Sequence, residues 1–258
     1  MTRASEGLTH WYTRTGEPCY TVIGKNGKER DTNLRDARLL GLAVSVTGII
    51  KQAAAPNLVH YLQEQAIMAV RKVIRTPHES EANWLKRVWH EAREHSRRAA
   101  EIGTNIHAAI EGHFEGQWPE EEYAPHVKAV ADLLAGTFQG ISFIAEKSFC
   151  HEIGYGGKTD LHSRAGKGLV LDVKSKDDIS KSDIYDDHLM QLSAYRDGLG
   201  LPHAECGIVY VSTGTPGQVK LLMADEDELQ RGWMMFKSLF NYWTVKNKFV
   251  WYPTPEGT

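Results

Sequence analysis

The chain reads as an α+β, or mixed α/β, protein: a central mixed sheet flanked by helices, preceded by a helical N-terminal half. Three observations predict this. Apolar residues recur at helical spacing from 58 to about 116, short apolar strands joined by glycine turns run from 141 to 223, and the two textures follow one another instead of alternating. A length of 258 residues suits one large domain or one domain with a sizeable insertion.

Tyr20 to Ile23 reads as a strand, Gly24-Lys25-Asn26-Gly27 as a turn with its Asn-Gly signal, and the polar residues after it as the return strand. This β-rich start runs over the first 45 or so residues; the apolar segment 43–50 follows, and then Pro56. Leu58, Leu62, Ala66, Ala69, Val70 and Val73 line one helix face. Thr76-Pro77 breaks the run and restarts it, with proline in the first turn. The pattern predicts a second helix over 81–100 with Trp84, Leu85, Val88 and Trp89 facing inward. Gly103-Thr104 predicts a break before a third helix carrying His107 and Glu111, and a fourth helix is expected over 123–138. Three strands are expected over 141–151, 157–164 and 168–174, joined by the glycine turns 154–157 and 165–168. A helix over 184–199, strands over 204–212 and 218–223, and a last helix to about Lys246 complete the chain; Asp225 with Glu228 three residues on reads as the capping box of that last helix. The expected division is 1–102, a β-hairpin and helical region, and 103–258, a β-β-β-α-β-β-α core.

Composition narrows the function classes. Hydrophobic residues at 41% and charged residues at 24% are ordinary for a globular protein, enough for a core without disulfides. Three scattered cysteines (Cys19, Cys150, Cys206) with no CxxC pair speak against a zinc ribbon, an iron–sulfur cluster or a secreted disulfide framework, and read as reduced thiols. No apolar run approaches the ~18 residues of a membrane span, and residues 1–9 are polar, without the apolar stretch of a signal peptide. A cytoplasmic protein is expected. The net charge of −3 argues little about nucleic acid, because an enzyme that binds metal ions must carry carboxylates; local distribution is the better guide. Arg71, Lys72, Arg75, Lys86, Arg87, Arg93, Arg97 and Arg98 concentrate in the N-terminal helices, interleaved with Trp84 and Trp89. A basic groove with aromatic platforms suits single-stranded nucleic acid. A solvated face offset by Glu79, Glu81, Glu91 and Glu94, with the tryptophans in the core, is the alternative.

The chemistry centres on Leu169-Val170-Leu171-Asp172-Val173-Lys174, an apolar strand ending in two charged residues that alternation places on one face. Asp160 lies twelve positions earlier, on the preceding strand, and antiparallel pairing brings the two carboxylates together. Like charges about 4 Å apart repel strongly in a partly dry site. A divalent cation relieves that repulsion, and oxygen ligands suit Mg²⁺ or Mn²⁺. A [DE]-x-K triplet occurs by chance once or twice in a chain of this size; what gives Asp172-Val173-Lys174 weight is its company at fixed offsets.

That company is Gly103-Thr104-Asn105-Ile106-His107 with Glu111, then Gly156-Gly157-Lys158-Thr159-Asp160, Asp172-Val173-Lys174, and Gln191-Leu192-Ser193-Ala194-Tyr195, with Val44-Ser45-Val46-Thr47 ahead of them. The ordered set, spanning about 44–224, resembles the RecB-like branch of the PD-(D/E)xK nucleases, which includes CRISPR-adaptation nucleases, the mitochondrial genome-maintenance exonuclease and many phage exonucleases. The resemblance implies a restriction-endonuclease-like core in which His107, Asp160, Asp172 and the carbonyl of Val173 hold the metal. Lys174 then orients or deprotonates the attacking water, or stabilises charge on the phosphate, and Gln191 and Tyr195 contact the site or the strand. Glu111 is open between an outer or second-metal ligand and a solvated helix carboxylate, and Glu146 is a further acidic candidate. Arg71, Arg75, Arg93 and Arg97 are the candidate DNA contacts of the N-terminal region, which would form an arch over the substrate. The activity implied by the resemblance is that of a DNA exonuclease using one or two Mg²⁺ or Mn²⁺ ions in a bacterial or phage-infected cell. It would act on single strands or DNA ends in recombination, repair or replication, alongside a protein of one of those processes. A structure-specific flap endonuclease and a catalytically silent DNA-binding protein are the competing readings. The iron–sulfur cysteines of some members are missing, and no Walker A motif is present, so neither a cluster nor ATPase activity is expected.

Overall fold

Apart from the side chains of Asn57 and His95, the computed structural model describes residues 9–251; the polar start at 1–8 and the last residues of the expected core lie outside it. A short strand, β1 (Trp11–Tyr12), precedes the expected hairpin of β2 (Thr21–Ile23) and β3 (Glu29–Asp31), whose turn closes through the Gly24 and Lys28 backbones with Gly27 at φ 72°. The β-rich start is interrupted by one helix and followed by another. Helix α1 (Leu34–Leu40) is capped by Asn33, which bonds reciprocally with Asp36, and it ends at Gly41 in the left-handed conformation. After β4 (Ala43–Ser45), the Ser45 side chain caps a short α2 (Val46–Ile50).

Helix α3 (Pro56–Lys72) begins with proline in its first turn. This helix and the one after it correct two expectations. α4 (Glu81–Phe114) is one continuous 34-residue helix with no break at Gly103. A Cβ at Gly103 would lie 2.5 Å from Ser175 Oγ, so the glycine permits close approach to the sheet and does not end the helix. Second, Leu58, Leu62, Val70, Leu85 and Trp89 are exposed. The seam between α3 and α4 is built from Ala69, Val88 and Ala92, with Val73 and Trp84 beside it, and the larger side chains fall off that line. The expected division after residue 102 falls inside α4.

Helix α5 (Ala124–Thr137) leads into β5 (Ile144–Cys150), β6 (Tyr155–Ser163) and β7 (Leu169–Lys176), then α6 (Asp186–Gly198), β8 (Glu205–Ser212), β9 (Val219–Ala224) and α7 (Glu226–Lys246), each within a few residues of the predicted bounds. The Asp225–Glu228 capping box opens α7. The seven-stranded sheet runs β1-β4-β6-β7-β8-β9, with β5 on the other edge of β6. The β4–β6 and β7–β8 pairs are parallel and the rest antiparallel, which makes the sheet mixed. Strand alternation separates two cores. Val170, Cys206, Ile208 and Tyr210 face α6 and α7, in a cluster that also takes Trp11, Val44 and Ile49 from the N-terminal segment. Leu171, Val173, Val209 and Val211 face Ile106 and Ile110 of α4 and Val127, Val130 and Leu134 of α5. No helix among the described residues is long and apolar enough to cross a membrane. The three cysteines form no disulfide.

Candidate active site

The site begins with a gap in β6. Its first residues, Tyr155 and Gly156, pair with β4, and its last, Leu161 to Ser163, pair with β7; both partners lie on the edge opposite β5. Between them, residues 157–160 have no strand beside them on that edge. The β6–β7 ladder stops at Leu161↔Leu171, one step short of an Asp160↔Asp172 pair. The two acids therefore stand across a fork where the strands part. Asp160 bridges it with its side chain: its Oδ2 accepts the Val173 N–H at 2.7 Å. Thus the N–H of Val173, whose carbonyl was the candidate ligand, is the group that meets Asp160.

His107 projects from α4 with Nδ1 3.7 Å from Asp160 Oδ2. Its neighbours Ile106 and Ile110 are buried against β7, and Gly103 one turn earlier brings the helix against Ser175. The helix is close because it is smooth where it crosses the sheet.

Asp172 points to the α6 side and is only 2% exposed. Its Oδ1 accepts Gln191 Nε2 at 2.7 Å. Its Oδ2 forms a buried ion pair with the Lys174 ammonium at 2.6 Å. Lys174 Nζ donates to Gln191 Oε1 at 3.0 Å, and Gln191 Nε2 also reaches Tyr195 Oη at 3.1 Å. Gln191 and Tyr195, one helical turn apart on α6, thus hold the Asp172–Lys174 pair. Burial pushes the Asp172 carboxyl above the usual aspartate range, against the pull of the Lys174 charge and with the Asp160 charge adding to the rise. Burial pulls Lys174 down, yet Asp172 and then Asp160 outweigh it, and the amine is held above the ordinary lysine value. The Tyr195 hydroxyl is pushed well up by burial and then by the same two carboxylates.

The paired glycines before Asp160 have a steric reason. A Cβ on Gly157 would lie 2.7 Å from the Tyr195 ring, and one on Gly156 would lie 2.8 Å from Tyr12 Cβ. Glycine lets β6 pass beneath both tyrosines.

On the α4 side of the fork, His107, Glu111, Glu146 and Asp160 line a small cleft of about 20 Å³ with Ile110, Leu161 and Val173. Burial raises the Glu111 carboxyl, opposed by the charges of Lys158 and His107. Glu146 pairs with Lys158. Lys158 is a site residue that the sequence motifs alone did not single out. The signal for it was its place two residues before Asp160, on the same strand face. Among the described residues, no three His, Cys, Asp or Glu side chains converge tightly enough to cage an ion as they stand: Asp172 is turned to Lys174 and Glu146 to Lys158.

Of the candidate DNA contacts, Gln191 and Tyr195 belong to this centre, and the four arginines lie on α3, α4 and the segment between them. Arg97 pairs with Glu94 and Glu101, Arg75 donates to the Glu79 carbonyl, Arg93 stacks over the exposed Trp89 at 5.7 Å, and Arg71 is exposed. Trp84 is half-buried and donates to the Val73 carbonyl. A larger groove of about 210 Å³ lies between α3 and α4, but Lys72–Glu91 and Arg98–Glu94 ion pairs occupy its walls and it holds none of the fork residues.

No family model matches the chain, and no curated protein matches it. Among solved structures it is similar to an alkaline exonuclease from Laribacter hongkongensis, at 12% identity over 83% of this chain and 92% of that one, with a TM-score of 0.43. It is also similar to an exonuclease candidate from Eubacterium rectale, at 13% identity over 61% of this chain and 72% of that one, again with a TM-score of 0.43.

Proposed function

We propose that the chain is a divalent-metal-dependent nuclease of the PD-(D/E)xK type that hydrolyses DNA phosphodiester bonds from strand ends. One observation carries the reading: Asp160 and Asp172 flank the β6–β7 fork at matching register positions, with His107 beside the first and Lys174 beside the second. Two carboxylates and an imidazole are hard or borderline donors suited to Mg²⁺ or Mn²⁺. On the α4 side, Asp160, Glu111 and Glu146 line one cleft with His107, a face that carries the oxygen and nitrogen donors such an ion takes.

In this reading Asp160, Asp172 and His107 hold the ion, with the Val173 carbonyl as a further donor. The bound ion supplies water activation and neutralisation of phosphate charge. The chain's own groups do the rest. Lys174, whose side chain is 30% exposed beside a fully buried partner, offers its ammonium to a phosphate oxygen where negative charge develops. Gln191 fixes both members of the Asp172–Lys174 pair, and Tyr195 fixes Gln191, so the ammonium is positioned before substrate arrives. The Asp160–Val173 bond holds the two strand ends at a set separation.

The test is incubation with end-labelled linear and with circular single-stranded DNA, in Mg²⁺ or Mn²⁺ and then in EDTA. The expected result is digestion of linear DNA alone, abolished by EDTA. Cleavage of circles would replace the exonuclease with an endonuclease on the same centre, and no cleavage with either metal would leave a DNA-binding protein without catalysis.

A further inference from the structure

Strand β7 carries a second lysine on the face of the first. Asp172, Lys174 and Lys176 alternate toward α6, while Val173 and Ser175 face α4. Lys176 ends the strand, and its carbonyl accepts the Thr213 N–H at 2.8 Å, which ties that strand end to the end of β8. Its half-buried ammonium lies 4.9 Å from the centre of the Tyr185 ring and 5.2 Å from that of Tyr210. Tyr210 is itself pinned, donating its hydroxyl to the Asp183 carbonyl at 2.6 Å. Aromatic rings hold an ammonium in place without cancelling its charge.

Five aspartates follow between 177 and 187, yet none of them pairs with Lys176. Asp177 lies against Gly214, Asp178 accepts the Ser180 N–H, Asp183 accepts the Ile184 N–H, Asp186 pairs with Arg231, and Asp187 faces His188 at 3.9 Å. Lys174, by contrast, is paired with Asp172, and Lys158 with Glu146. Lys176 is thus the next cation along the face of the Asp172–Lys174 pair, and among the described residues no carboxylate is bonded to it. Residues two apart on a strand are spaced about 6.6 Å, and a lysine stem is long and flexible. A nucleic-acid strand carries one phosphate per nucleotide, so an ammonium one step beyond Lys174 meets the neighbour of the phosphate that Lys174 takes.

We infer that Lys176 is a substrate-binding residue that takes the phosphate next to the scissile one and fixes how the strand lies along β7. The inference rests on the nuclease reading above and adds to it a phosphate contact outside the metal centre.

The test is fluorescence anisotropy of the full chain with a labelled single-stranded DNA, in EDTA and across a salt series, with folding checked by urea unfolding. Lys176→Gln is expected to bind more weakly, with a slope of log Kd against log salt shallower by about 0.7, the share of one phosphate contact on a single strand. Lys176→Arg, which keeps the charge, is expected to keep the wild-type slope. A single neutral methylphosphonate at one of the two neighbours of the phosphate that the wild type cleaves should weaken wild-type binding and leave Lys176→Gln unmoved. Should Lys176→Gln not fold, Lys176→Met serves in its place. A charge-removing variant that loses urea stability but keeps the slope shows a lysine that merely braces the two rings, and overturns the inference. Equal sensitivity of wild type and variant to the methylphosphonate overturns it too, and continued cleavage by the wild type then leaves the nuclease reading intact. A wild type that neither binds nor cleaves DNA overturns both.

Discussion

Lys174 and Asp172 form one contact, yet removing each has a different consequence, because only one of them can reach water. In Asp172→Asn the amide oxygen still accepts from Gln191, and Lys174 keeps Gln191 Oε1 and its 30% exposure. A buried carboxylate whose charge is opposed by its surroundings is also removed. The net change should stay within about 1 kcal/mol of wild type. Lys174→Ala leaves a 2% exposed carboxylate without its ammonium. Breaking a buried pair from one side costs about 3–5 kcal/mol. The pH dependence has a definite sign. A carboxyl raised in the fold binds a proton more readily there than in the unfolded chain, so the Lys174→Ala deficit shrinks as pH falls and Asp172 becomes neutral. Urea unfolding in EDTA at pH 8 and pH 5.5 measures this, with an unchanged m-value showing that the two states are the same in each variant. Equal losses in the two variants, or a larger loss in Asp172→Asn, would refute the asymmetry.

Further outcomes arise from the packing and the buried imidazoles. Gly157→Ala places a methyl against the Tyr195 and Phe149 rings, which cannot rotate away, and should cost about 1–3 kcal/mol in urea unfolding; a neutral result would mean that β6 does not pass beneath Tyr195 as described. His126 and His162 are buried and held below the ordinary histidine value by that burial. Their neutral forms suit the fold, so stability is full above the unfolded histidine value of ~6.5 and falls as pH drops below it, by up to about 1.4 kcal/mol per pH unit for each. Thermal melts from pH 7.5 to 5 should show the decline; a melting temperature that rises on acidification would contradict it.

Much of this arrangement was legible because period-two and 3.6-residue patterns are strong where one face is buried. The strand ending in Asp172 and Lys174, the helix that puts Gln191 and Tyr195 on one face, and the Asp225–Glu228 cap were all readable locally. Helix α1 escaped the pattern although Asn33 and Asp36 carry a capping signal, because the adjacent strands dominate that stretch. Gly103 misleads because a glycine that ends a helix and one that lets a helix touch a sheet look alike until the partner, here Ser175, is known. Leu85 and Trp89 were expected inward on spacing alone, but which face of a long helix is covered depends on its neighbour, and the α3 seam is lined with alanines. The fork itself was invisible. Local sequence places Asp160 and Asp172 on adjacent strands; only the sharing of one β6 edge between β4 and β7 leaves them at opposed register positions across a gap.

The central claim is that the acids of this gap act together on a cation to cleave DNA. Its most direct test is the cleavage rate of end-labelled DNA in saturating Mn²⁺ by wild type, Asp160→Asn and Asp172→Asn, each shown to fold by circular dichroism. Cleavage by the wild type alone is expected, with both variants at background. Cleavage by either variant at the wild-type rate would contradict it.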